Sequence, residues 1–152
     1  MKIARLLIIP AITGFLITAC SDSTSISERV AAAEMAYAAE DVASTRRIID
    51  DIMSDHVAKG SVTATELARL SILYMQLNDR TDDHEAVDLA ADCYREAYLA
   101  DADSAAYYYN HLPADNQKYA MALASIVHSM DNPKSLHDIT EQDREFPDSI
   151  EE

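Results

Sequence analysis

The chain is 152 residues long and carries 12 basic against 27 acidic side chains, a net charge of −15 with its five histidines neutral. So acidic a balance excludes nucleic acid as a partner and a peripheral grip on anionic lipid, because both need clustered Lys and Arg. The only glycines are Gly14 and Gly60, which rules out a Gly-rich phosphate loop, and no Gly-x-Ser-x-Gly elbow is present.

The first nineteen residues have the layout of a secretory signal: a basic start at Lys2 and Arg5, an apolar stretch from Leu6 to Ile17, then small residues. The stretch is short of the roughly 20 residues that cross a bilayer, and Pro10 and Gly14 interrupt it. Its end, Ile17-Thr18-Ala19-Cys20, resembles the lipobox of bacterial lipoproteins. The resemblance implies that Cys20 receives a diacylglyceryl group on sulfur, is cut from Ala19 and is usually acylated on its new amine. At about 0.8 kcal/mol per buried methylene, two or three acyl chains make such attachment effectively permanent, so the partner implied here is a membrane held through lipid alone. Ser21 stands where an aspartate would argue for inner-membrane retention, which implies an outer-membrane address, periplasmic or surface side left open. Ser21-Asp22-Ser23 is faintly similar to the acidic export signals of surface-exposed lipoproteins. An ordinary cleaved signal or an uncleaved anchor, with Cys20 incidental, is the alternative.

Removal of residues 1–19 takes away Lys2 and Arg5 and no acid, leaving 133 residues and a net charge of −17. That length suits one domain with a modest core. The expected organisation is a tether over 20–26, a helical domain over 27–131 and an acidic, mostly disordered tail over 132–152. Cys93 is then the single unlipidated cysteine; its apolar helical neighbourhood predicts a buried small hydrophobe.

The body is rich in Ala, Leu, Met, Glu and Arg and shows no sustained alternation, which predicts helix almost throughout and an all-α fold of antiparallel hairpins or a small bundle. Ser25-Ile26-Ser27-Glu28 is a capping box opening a helix through Val30, Ala33 and Tyr37 to about Ala39. The apolar stripe fails at Glu40-Asp41 and resumes in a new phase at Val42, Thr45, Ile49, Ile52 and Met53. Two antiparallel helices with a tight turn are expected, with one long helix as the alternative, since no Gly or Pro forces a break. His56 to Ser61 reads as a loop. Thr63-Ala64-Thr65-Glu66 is a second capping box, opening an apolar helix with Leu67, Leu70, Ile72, Leu73, Met75 and Leu77. Asn78 to Asp83 reads as a turn, with Asp82 capping a helix that carries Val87, Leu89, Ala90, Cys93, Tyr94, Ala97 and Tyr98. Asp101-Ala102-Asp103 ends it. A short helix from about Ser104 to Leu112 and a last one from Ala114 to Met130 flank Pro113.

Ala90, Tyr94, Ala97, Leu99 and Asp101-Ala102-Asp103-Ser104 are together similar to the second helix and exit of a tetratricopeptide repeat. Leu67, Leu70, Ser71 and Tyr74 fall near that family's first-helix positions, and Thr45, Ile49 and Ile52 form a matching triad in an earlier copy. The turn lacks the usual glycine, the hairpin from Thr63 to Ala100 is about seven residues too long, and the proline expected near Ala102 is missing. A third copy is hardly recognisable. The resemblance covers roughly Ser27 to Met130, and implies stacked hairpins with a concave face for a peptide or protein.

Candidate chemistry is sparse. His56, His84, His111, His128 and His137 form no pair at a metal-ligand spacing on one helical face. Asp82-Asp83-His84-Glu85 gathers polar groups at a helix start, where the dipole already favours acids. With Cys93 it supports the rival reading of an envelope enzyme or metal-handling protein; a structural lipoprotein without a ligand is the third. Asp101-x-Asp103 begins like a calcium loop, but Ala105 and Ala106 occupy later ligand and glycine positions. No catalytic residue, metal site or cofactor is assigned. The recognition candidates are Tyr107, Tyr108 and Tyr109, which point three ways around one helix, so at least one must be exposed. The expectation is a lipid-anchored, non-enzymatic envelope protein that binds a protein or peptide.

Overall fold

The computed structural model describes residues 24–132, and over them the chain forms six helices and no strand: α1 (Ile26–Ala38), α2 (Val42–Lys59), α3 (Ala64–Thr81), α4 (His84–Ala100), α5 (Ala102–Asn110) and α6 (Ala114–Asp131). The fold is all-α. The lipobox with Cys20, most of the tether, the acidic tail beyond Asn132 and His137 lie outside the described residues. No described helix is long and apolar enough to cross a membrane.

Both capping boxes form. The Ser25 hydroxyl accepts the Glu28 N–H (3.3 Å) while the Glu28 carboxylate accepts the Ser25 N–H (2.9 Å), and Thr63 and Glu66 repeat the arrangement at α3. Each cap satisfies donors that a helix start leaves without an intrahelical partner. Between α1 and α2 the chain turns at Glu40, in the left-handed region at φ +62°, and the Asp41 carboxylate caps α2 by accepting the Ser44 N–H at 3.0 Å. There are two helices here, not one long one.

Several helix ends differ from expectation. The segment from His56 is not a loop: α2 continues to Lys59 and stops at Gly60, whose φ of +60° suits a left-handed cap. His56 instead fastens the following connection, its Nδ1 accepting the Val62 N–H (3.3 Å) and its Nε2 lying 3.0 Å from Glu96. Likewise α3 runs through Asn78 to Thr81, and Asp82 ends it at φ +55°. The cap of α4 is therefore Asp83, whose carboxylate accepts the Glu85 N–H at 3.1 Å. Asp101 serves two helices at once. Its N–H closes α4 on the Ala97 carbonyl and its carboxylate accepts the N–H groups of Asp103 and Ser104, so α5 starts at Ala102 rather than Ser104.

Packing centres on α3. Eleven of its eighteen residues are buried, and it contacts each of the other five helices. A helix apolar on most sides has to be surrounded. Close approach comes from alanine: Ala33, Ala68, Ala86, Ala90, Ala97 and Ala105 are fully buried at the contacts. The ion pairs set the directions. Arg29 at the start of α1 meets Asp55 near the end of α2, so this pair is antiparallel. The turn at Asp82-Asp83 makes α3 and α4 antiparallel too. Across the hairpins, Glu34 meets Arg69 and Tyr37 meets Gln76, which aligns α1 parallel to α3. Arg46 with Asp83 and His56 with Glu96 do the same for α2 and α4.

Glu40 is a Cβ-bearing residue in a conformation that costs L-residues roughly 1–2 kcal/mol. Glu40→Gly should raise stability by about 1 kcal/mol and the thermal midpoint by roughly 4–8 °C for a domain of this size. A calorimetric midpoint that is unchanged or lower would show that the turn is not held in this geometry.

Candidate functional site

The three consecutive tyrosines of α5 end up in three different surroundings, as side chains 100° apart must. Tyr107 is two-thirds exposed and stacks on His111 with ring centroids 4.0 Å apart, while the Tyr107 carbonyl lies 2.7 Å from His111 Nδ1. Tyr108 is half-buried against α1 and α3. Tyr109 is core. Its hydroxyl sits 2.9 Å from the Ser71 Oγ, whose own proton goes to the Ala68 carbonyl at 2.7 Å, so Tyr109 donates. Of the three candidates, of which at least one was expected to be exposed, Tyr107 is: a nine-residue helix must bury one face against α3 and α4, and Tyr109 lies on it.

Tyr108 forms part of a groove of about 240 Å³ between α1, α3, α5 and the start of α6. Its floor is Ile72 and Leu73, and its polar groups are arranged in pairs. Arg69 grips Glu34 through both forks of its guanidinium, Nε to Oε1 at 2.8 Å and an η-nitrogen to Oε2 at 2.6 Å. That bidentate geometry is the strong form of an Arg–carboxylate contact. It holds the Arg69 pKa above its usual value, first through the Glu34 hydrogen bond and against the opposing effect of burial. Gln76 donates its Nε2–H to Asn116 Oδ1 at 3.0 Å, tying α3 to α6. Tyr37 donates weakly to the Gln76 carbonyl (3.4 Å) and carries the Arg80 guanidinium 4.1 Å over its ring. Burial pushes the Tyr108 hydroxyl up to about 12, Glu34 adds to the shift and Arg69 opposes it. Tyr108 therefore stays a neutral hydrogen-bond donor.

The groove offers ring faces, an apolar floor and amide edges, with its one strong cation already neutralised by Glu34. The four residues that give it polarity, Glu34, Arg69, Gln76 and Asn116, come from three helices and form no local motif.

The Asp82 to Glu85 cluster has structural employment. Asp82 caps α3, Asp83 caps α4 and pairs with Arg46, and Glu85 lies 3.8 Å from the same guanidinium. His84 is exposed beside them. Cys93 is buried against Met53, sulfur to sulfur 3.8 Å, and desolvation pushes its thiol up to about 12, so it stays a thiol. Among the described residues no three His, Cys, Asp or Glu side chains are grouped to hold a metal ion.

One carboxylate fastens the first turns of α6. Asp79 Oδ2 accepts from Lys118 Nζ (2.8 Å) and from the Tyr119 hydroxyl (2.7 Å), and these bonds, Lys118 first, hold the Asp79 pKa below its usual value. No family model matches the chain, no curated protein matches its sequence, and no solved structure matches its fold.

Because the folded pKa of Asp79 is depressed, its stabilisation is complete above the unfolded value near 3.8 and is lost as pH falls through the folded value below that. Asp79→Asn should lower stability at pH 7 and flatten the fall in stability on acidification below about pH 4. Parallel acid-unfolding curves for wild type and variant would contradict the clip.

Proposed function

We propose that the protein is a lipid-anchored module of the cell envelope, tethered to the outer membrane through Cys20, that binds an extended or helical segment of a partner protein. The groove between α1, α3, α5 and α6 carries this reading: exposed polar edges over an apolar floor, with Tyr37 and Tyr108 at its sides, are the features of a recognition surface. The parallel alignment of α1 with α3 and of α2 with α4 supports the likeness to stacked tetratricopeptide-like hairpins, in which successive first helices line one face. Of the residues behind that likeness, Thr45, Ile49, Ile52, Ala90 and Ala97 are fully buried and Tyr94 is half-buried, whereas Leu99 is 85% exposed and departs from it. The short α5 and the absent turn glycine depart from the pattern. With a net charge of −17 after cleavage, long-range attraction favours a basic partner, and association weakens as salt rises.

Attachment and recognition are separable by experiment. Cys20→Ser should move the protein from the membrane fraction to the soluble envelope fraction and remove the acyl mass from the purified chain; retention on the membrane would defeat the anchor. A photo-crosslinking residue at Gln76 or Tyr108 should give the same single adduct in intact cells, and one at Asp92 or Ser125 should give none. Equal labelling from all four positions, or from none, would defeat the groove.

A further inference from the structure

A second cleft, of about 370 Å³, opens between α4, α5 and α6, and it is the larger of the two. One wall is made by Tyr94, Tyr98 and Tyr109, and the other by Ala120, Met121 and Ala124. The remaining lining is Asn110 and Gln117. None of these side chains is charged, which stands out in a chain with 27 acidic residues.

The tyrosine wall is continuous. Ring centroids lie 4.9 Å apart for Tyr94 and Tyr98, 4.8 Å for Tyr94 and Tyr109, and 5.9 Å for the stacked pair Tyr98 and Tyr109. Such contacts fix the rings against each other. They also leave no hollow between the rings, so this is a platform and not a cage that surrounds a cation. Tyr109 is buried and its hydroxyl is committed to Ser71, so the accessible faces belong to Tyr94 and Tyr98. At the edge, Asn110 keeps both halves of its carboxamide, engaged by no described residue, and Gln117 uses only its Nε2–H, on the Leu112 carbonyl at 3.4 Å. The cleft exists because α5 ends at Asn110 and because α6 presents alanines opposite the rings.

We propose that this cleft binds a neutral saccharide, its ring face on Tyr94 and Tyr98 and its hydroxyls on Asn110 and Gln117. The chemistry of the lining selects this class. The partly positive C–H bonds on one face of a sugar ring match the electron-rich face of a tyrosine. Carboxamides carry both donors and acceptors, as a row of hydroxyls requires. An ionised ligand would meet no counter-charge in the lining. The volume lies within the range of small-ligand sites and leaves room for a short stretch of sugar rings. The site stands apart from the peptide groove and does not depend on it.

The test is titration calorimetry on the full chain with maltohexaose, cellohexaose, chitohexaose and mannohexaose, with tyrosine fluorescence as a second signal because the chain has eight tyrosines and no tryptophan. Indole and tetramethylammonium serve as apolar and cationic probes. At least one oligosaccharide should bind saturably below roughly 10 mM. Tyr98→Ala should weaken it by about tenfold or more and Tyr98→Phe by much less, since the ring face is what matters. Met121→Glu, at a position 73% exposed and so harmless to folding, should weaken it as well. Val57→Ser, 86% exposed near the end of α2 and outside both clefts, should leave it unchanged. Silence from all four sugars, binding that survives both Tyr98→Ala and Met121→Glu, or a response to indole or tetramethylammonium alone would overturn the proposal.

Discussion

The burial of α3 is the constraint from which the rest of the structure follows. Leu67, Leu70, Tyr74 and Leu77 are almost wholly removed from water, and Ile72, Leu73 and Met75, on other sides of the same helix, are buried as well. At roughly 1.5–3 kcal/mol for each large apolar side chain, no single partner helix can cover that surface. Five helices are therefore drawn around one, and the small residues at the contacts decide how near they come. Where a larger residue sits inside this shell it carries a polar tip with a partner: Tyr74 lies 3.4 Å from Asp50, and Tyr109 lies on Ser71.

Both clefts are consequences of how that shell closes. In the first hairpin α1 and α2 pack along their length and α1 lies over one side of α3, whereas on the other side α5 has only nine residues and α6 is fastened in part by polar clips. Gln76 with Asn116 and Asp79 with Lys118 and Tyr119 hold the start of α6, and Arg95 meets Asp131 at its end. Between these anchors α6 reaches the core through Leu123, and the gaps to either side are lined by whatever the two faces present. On one face that is an ion pair and an amide pair, on the other a row of tyrosines. Function would then reside in the spaces that a short α5 leaves open, while α3 supplies the rigidity behind them.

Much of the fold was legible in the amino-acid order because its signals are local. Ser25 with Glu28 and Thr63 with Glu66 are each three residues apart, and each marks a real helix start, whereas Asp101, read only as the end of α4, also caps α5. Helix ends were harder to read. The stretches from His56 and from Asn78 look like loops by polarity, yet their backbones continue the helical ladder because polar side chains on an outward face cost a helix little. Among the described residues, two of the three left-handed turns fall on Glu40 and Asp82, where no glycine announces them. The clefts could not be read from the order at all. Arg69 and Glu34 are 35 residues apart, and Gln76 and Asn116 are 40 apart. Of the tyrosine run, one side chain is exposed, one half-buried and one core, a division set by contacts with α3 and α4 that no spacing within α5 encodes.

If α3 is the element that everything else leans on, its amides can exchange only when the whole domain opens. Native-state hydrogen exchange resolved by residue measures this directly. The account predicts that Leu70, Ser71, Leu73 and Tyr74 share the highest opening free energy in the chain, equal to that of global unfolding, with α1 and α6 opening at lower values. Exchange from the middle of α3 as fast as from α6, or faster, would contradict it.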